Sequence, residues 1–116
     1  MPHVEIKYSD DLNIDTKNIF DDIENIINQV DSGAGICKSR AYACSEYKYT
    51  HILLTVNLLT KPHRDEAFTH RLSEKLQKAI KKYFTKSLYF SLDIQYSSSY
   101  YYTDVHLLEG DSIDDI

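Results

Sequence analysis

The sequence predicts an α+β fold: two βαβ units that build one four-stranded mixed sheet, with two helices on a single face. Three observations carry this expectation. Residues 2–44 and 50–96 each run strand, helix, strand over a similar length. The strand segments alternate apolar and polar residues, whereas the two segments between them repeat their apolar residues at helical spacing. Parallel strands joined through a helix cross over right-handed, which puts both helices on the same side of the sheet.

Residues 2–8 form the first strand. Val4, Ile6 and Tyr8 alternate with His3, Glu5 and Lys7, so one face is buried. Pro2 shares the parity of Val4 and Ile6. Asp10 to Asp15 is a polar connection, and Asp15 is placed to cap the first helix. Ile19, Phe20, Ile23, Ile26, Ile27 and Val30 make that helix's apolar stripe. Gly33 and Gly35 are expected to end it. They are not a phosphate loop, because such a loop follows a strand and opens a helix. Residues 37–45 form the second strand. Ser39, Ala41 and Ala43 lie on the face a helix would cover, and Lys38, Arg40, Tyr42 and Cys44 on the other.

Residues 46–49 are a short link to a third strand, His51 to Thr60. Ile52, Leu54, Val56 and Leu58 share one parity, and Leu53 and Leu59 the other. Both faces therefore read as apolar, which predicts a central strand or one lying against another subunit. Pro62 stops the strand, and Asp65 caps a second helix. Its buried stripe is Phe68, Leu72, Leu76, Ala79, Ile80 and Tyr83. Residues 88–96 are the last strand, with Leu88, Phe90, Leu92, Ile94 and Tyr96 facing inward. Ser97 to Tyr102 reads as a loop. Its tyrosines suit a neighbouring subunit better than a ligand, because Val105, Leu107 and Leu108 follow. The domain is expected over residues 1–108, with residues 109–116 an acidic, frayed tail. Leu53, Leu59 and Tyr42 leave an apolar second sheet face that closed cyclic assembly would cover.

Composition excludes several functions. The chain has 116 residues, 42% of them hydrophobic, which fits one ordered domain. A net charge of -5 argues against a general nucleic-acid binder, whose footprint is basic. No apolar run is long enough to span a bilayer, and Met1 to Asp10 holds no signal-like apolar core. Cys37 and Cys44 have opposite parity along one strand, so a disulfide between them is not expected, and the chain reads as cytoplasmic. The five His, at positions 3, 51, 63, 70 and 106, share no ligand spacing on one helical turn, so no metal site is predicted.

Three places carry candidate chemistry. Pro2, once Met1 is removed, has a free secondary amine with a fixed ring direction. Desolvation and nearby cations lower such an amine toward neutrality, where it can abstract a proton next to a carbonyl. Read locally, Pro2 also serves simply to start a strand, where a missing N–H costs little. Lys38 and Arg40 share a face and can grip a carboxylate, or they are solvated edge charges. Arg64 stands at the entry of the second helix, where the dipole favours anions, or it is a surface arginine.

Met1-Pro2-His3, Tyr8-Ser9-Asp10, Lys38-Ser39-Arg40, the passage from Leu58 to Arg64, and Asp104-Val105-His106 together resemble the tautomerase superfamily. Within it the likeness is to the 5-carboxymethyl-2-hydroxymuconate delta-isomerase family, over roughly residues 1–108. The resemblance implies a homotrimer and a cofactor-free isomerase of aromatic catabolism. Pro2 would be the general base, shifting a proton in an unsaturated 2-hydroxy or 2-oxo di- or tricarboxylate. Arg64 and Arg40 match family arginines and would bind substrate, while Lys38 stands where close relatives place arginine. That exchange loses a bidentate fork. The loop at Glu46 to Lys48 is shorter than in those relatives. His3 and Ser9 are family-like residues expected to be structural. Two rivals stand beside this reading: a non-catalytic trimeric protein of the same fold, and an RNA-binding ferredoxin-like module. The second would need aromatic residues and basic charge on the sheet, but Ile52 to Leu59 is aliphatic.

Overall fold

The computed structural model describes residues 1–116. Its elements are β1 (His3–Ser9), α1 (Thr16–Val30), β2 (Lys38–Cys44), β3 (His51–Leu58), α2 (Glu66–Lys81) and β4 (Tyr89–Tyr96). One four-stranded sheet has the order β2-β1-β3-β4. β1 pairs parallel with β2 and β3 parallel with β4, while the central pair β1–β3 is antiparallel. The sheet is therefore mixed, as predicted. A ferredoxin-like module splits its βαβ units by inserting a strand between the two parallel ones. Here the parallel strands of each unit are direct neighbours, which removes that rival.

The core forms between the sheet and the helices. Val4 and Ile6 of β1 and Ile52, Leu54, Val56 and Leu58 of β3 are buried against Ile19, Ile23 and Ile27 of α1 and Phe68, Leu72, Leu76 and Ile80 of α2. Truncating any of these leucines or isoleucines to alanine should cost about 2–5 kcal/mol. Both helices start where the sequence places them. Asp15 accepts a hydrogen bond from the N–H of Asn18, and Asp65 accepts one from the N–H of Phe68. Ser9 is buried and ties β1 to β3: its hydroxyl accepts from the N–H of His51 at 2.9 Å and donates to that residue's carbonyl at 3.3 Å.

Three expectations are corrected. The glycines do not end α1. Asp31 does, in an extended conformation, with its N–H still donating to the Ile27 carbonyl at 2.8 Å. Gly35 instead shapes the loop that follows, at a φ of 78°. Asn28 clamps that glycine through both amide groups, at 2.8 and 3.1 Å. The second sheet face is also far less apolar than predicted. His3, Glu5, Lys7, Lys38, Arg40, Thr55, Asn57, Ser91, Asp93 and Gln95 fall on it by register. Tyr42 and Leu53 lie on it as predicted, whereas Leu59 lies beyond the end of β3. Finally, the acidic tail holds a short 3-10 turn, Ile113–Asp115, closed by a capping box with Ser112. No helix is long and apolar enough to cross a membrane.

Candidate functional site

The register of the sheet assembles a polar corner where β1 begins. Parallel pairing sets His3 beside Lys38 and Glu5 beside Arg40, and antiparallel pairing sets Asn57 on the other side of His3. A cleft of about 250 Å³ opens there. His3, Arg40, Asn57 and Ser97 line it together with the apolar Met1, Leu58, Leu59 and Tyr101. A hollow of about 420 Å³ runs along the outside of α2, but Glu74, Lys75, Gln77, Lys78 and Lys81 line it and no apolar residue floors it. The corner cleft combines apolar walls with converging polar groups, as ligand sites do.

Arg40 is the fixed point of the corner. Its Nη2 and Nε lie 2.9 and 3.1 Å from one oxygen of Glu5, and Nε lies 3.1 Å from the Tyr42 hydroxyl. Its Nη1 lies 3.2 Å from Nδ1 of His3. The Arg40 side chain remains 44% exposed, so it is held in place yet open to a ligand. Burial lowers the pKa of the His3 ring, as do the charges of Lys38, Arg40 and the N-terminal amine, and Glu5 acts in the opposite sense. Lys38 has no carboxylate at ion-pair distance, and its Nζ is 3.5 Å from the Thr103 hydroxyl.

Pro2 is buried, and its carbonyl accepts from the N–H of Lys38 at 3.0 Å. With Met1 attached, the Pro2 nitrogen is a tertiary amide without basicity. The Met1 amine stands beside the cleft, its pKa lowered by burial and then by Lys38, Lys61 and Arg64, with the Cys37 thiol opposing.

Arg64 is neither an exposed arginine nor an open anion site. Its side chain is 2% exposed, with Nε and Nη2 2.9 and 2.8 Å from Oδ2 of Asp31. Nη1 donates to the Leu59 carbonyl at 2.7 Å. His63 reaches the same Asp31 oxygen at 2.8 Å, and the N–H of Gly33 donates to the other at 3.0 Å. Burial alone would raise the Asp31 carboxyl, but His63, Arg64 and the Gly33 N–H hold it well below the usual carboxylate range.

Met1 and Arg40 thus line one cleft, with Pro2 buried next to Met1 in the chain. Lys38 flanks them in register, and Arg64 acts there only through its field. Sequence reasoning missed Asp31, although a signal existed: a carboxylate at a helix C-terminus faces the negative pole and needs a cation nearby. Asn57 and Tyr101 gave no signal beyond the parity of one and the loop position of the other. No cluster of three His, Cys, Asp or Glu side chains is arranged to hold a metal ion.

No protein-family model matches the chain, and no curated protein matches its sequence. Solved structures do match its fold. A 5-carboxymethyl-2-hydroxymuconate delta-isomerase superposes with a TM-score of 0.70 at 19% identity, covering 91% of this chain and 89% of its own. A 5-carboxymethyl-2-hydroxymuconate isomerase from Deinococcus radiodurans R1 gives 0.73 at 18% identity, covering 90% of each chain. A fused 4-OT described as a symmetric trimer gives 0.65 at 13% identity, covering 95% of this chain and 94% of its own. At such identities the likeness is one of architecture: the chain has the fold of the tautomerase superfamily.

Proposed function

We propose that the chain is a cofactor-independent isomerase acting on an unsaturated 2-hydroxy or 2-oxo di- or tricarboxylate, similar in reaction to the 5-carboxymethyl-2-hydroxymuconate isomerases. The observation that carries this reading is the corner cleft, where the start of β1, an anchored arginine and an apolar wall converge. Loss of Met1 frees the Pro2 nitrogen beside this cleft. Burial and the cations that lower the Met1 amine would act on the Pro2 amine as well, in the direction that favours its free-base form.

In the proposed reaction the Pro2 nitrogen takes a proton from the 2-hydroxyl of the dienol or, for a 2-oxo substrate, from the carbon between its two unsaturated groups. Either loss leaves a dienolate whose charge gathers on the 2-oxygen. The protonated Pro2 nitrogen then gives the proton to another carbon of the dienolate, so no oxidant or co-reactant is consumed. Arg40 and Lys38 would bind carboxylate and steady the developing charge. Arg64 would contribute through its positive field, or directly where an incoming carboxylate displaces Asp31. A homotrimer, of the kind described for the fused 4-OT, would cover the exposed tyrosines at 100 and 102.

The test is an ultraviolet assay of 2-hydroxymuconate-type dienols, using protein whose intact mass shows that it begins at Pro2. Turnover by that form, and loss of about 10²-fold or more in a form that keeps Met1, is the expected result. Equal turnover by both forms removes Pro2 as the base.

A second reading has its own support. Arg64 is neutralised by Asp31 within the protomer, as suits a structural arginine. A protein that begins at Pro2 and still turns over no dienol would be a non-catalytic member of the fold.

A further inference from the structure

We propose that His3 is a ligand-binding donor of the corner cleft: Arg40 holds its imidazole as the neutral Nε2–H tautomer, and that N–H is offered to the 2-oxygen of a bound oxo acid. The identity of the ligand rests on the isomerase reading; the tautomer does not.

The argument starts from donors and acceptors. A guanidinium has only donors, so the His3 Nδ1 that lies 3.2 Å from Arg40 Nη1 must accept. The ring proton then sits on Nε2. Arg40 cannot swing aside freely, because Glu5 holds it from the paired position on β1. A second proton on Nδ1 would set N–H against N–H. The groups around the ring discourage it further: Lys38 and Arg40 from β2, the N-terminal amine from the segment before β1, and an uncharged Asn57 from β3. Glu5 alone opposes them, and it is already engaged by Arg40.

Nε2 has no partner within the protomer, and the ring lines the cleft. A neutral imidazole there can share a hydrogen bond that strengthens as charge gathers on oxygen, without surrendering its proton. His3 would therefore select acids bearing a 2-oxygen, because a ligand without one leaves Nε2–H unpaired in the closed complex.

The experiment uses natively processed, ¹⁵N-histidine-labelled protein and two stable probes. One is 2-oxoglutarate, and the other is glutarate, the same chain without the 2-oxygen. Long-range ¹H–¹⁵N correlation should show His3 as the Nε2–H tautomer. Its ring signals should move with 2-oxoglutarate and stay still with glutarate. His3→Leu should weaken 2-oxoglutarate about tenfold, and His3→Gln, which keeps a donor, should weaken it less. Arg40→Ala should give mixed tautomers. A Nδ1–H tautomer in the wild-type protein, or the same response to both acids, overturns the proposal. These readings need no turnover. A protein that passes them yet isomerises no dienol fails only the isomerase reading, and dienol turnover unchanged in His3→Leu fails only this one.

Discussion

Asp31→Ala removes the carboxylate that neutralises Arg64 and leaves a guanidinium that is 2% exposed with only the Leu59 carbonyl. Breaking a buried pair from one side costs about 3–5 kcal/mol. The lost bond to the Gly33 N–H adds about 1 kcal/mol. Relief of the unfavourable anion at the C-terminus of α1 returns about 0.3–1 kcal/mol. The net loss is therefore about 4 kcal/mol, against a total stability of roughly 5–15 kcal/mol for a domain. With a urea m-value of about 2 kcal/mol/M, the unfolding midpoint should fall by roughly 2 M. The double variant Asp31→Ala/Arg64→Met should recover much of this, because an apolar side chain of similar length suits the vacated site. The pH dependence has a definite sign. Asp31 is held below its unfolded value, so its contribution is complete above that value, about 3.9, and is lost as pH falls further toward the folded one. Wild-type protein should lose more stability on acidification below about pH 4 than Asp31→Ala does. A loss under about 1 kcal/mol for Asp31→Ala, typical of exposed pairs, would refute the buried-pair reasoning. So would a double variant weaker than the single one.

Gly35→Ala should cost about 1–2 kcal/mol, read from denaturant unfolding, because φ is 78°. Nothing lies within 4 Å of an added Cβ, so the cost is in the backbone alone, and no loss would place Gly35 outside the left-handed region. Lys38→Arg should leave dienol turnover intact or raise it, since a fork serves a carboxylate at least as well as an ammonium. A large drop would show a site built around the lysine. Light scattering at micromolar concentration should report a trimer, and a stable monomer there would remove the oligomeric part of the proposal.

Local pattern fixed most of the architecture. The alternation of Val4, Ile6, Ile52, Leu54, Val56 and Leu58 located the buried sheet face, and Asp15 and Asp65 located both helix starts. These signals depend on neighbours in sequence. The state of Arg64 does not: its partner Asp31 stands 33 residues away, and only the packing of the α1 end against the β3–α2 loop brings them together. Leu59 misled for a related reason. Parity marks a face only while the strand lasts, and β3 ends at Leu58, which sends Leu59 into the cleft wall. The cleft itself draws on β1, β2, β3 and the segment after β4, so no single stretch could announce it. Pro2, Arg40 and Lys38 are legible locally as an amine and two cations, and only the resemblance joins them into one expected site. His3 became legible only when Arg40 was seen against its Nδ1.

The cations around the start of β1 differ in what they offer an anion. Arg64 is neutralised by Asp31 and Arg40 in part by Glu5, whereas Lys38 and Lys61 have no carboxylate at ion-pair distance. After burial, those two lysines lead the influences that lower the N-terminal amine. Under the isomerase reading, this gives the base two pKa values. In the free protein burial and the lysines lower it, which favours the unprotonated form before substrate arrives. A bound carboxylate then cancels part of their field, so the amine becomes more basic at the moment it must take a proton from carbon. The pKa on the acid limb of the kcat profile should therefore lie above that of the kcat/KM profile, since the first reports the complex and the second the free protein. Lys61→Met should raise the value in kcat/KM and narrow the gap. A kcat value at or below the kcat/KM value would mean that substrate desolvates the amine more than it shields it, and the lysine field would not be what tunes the base.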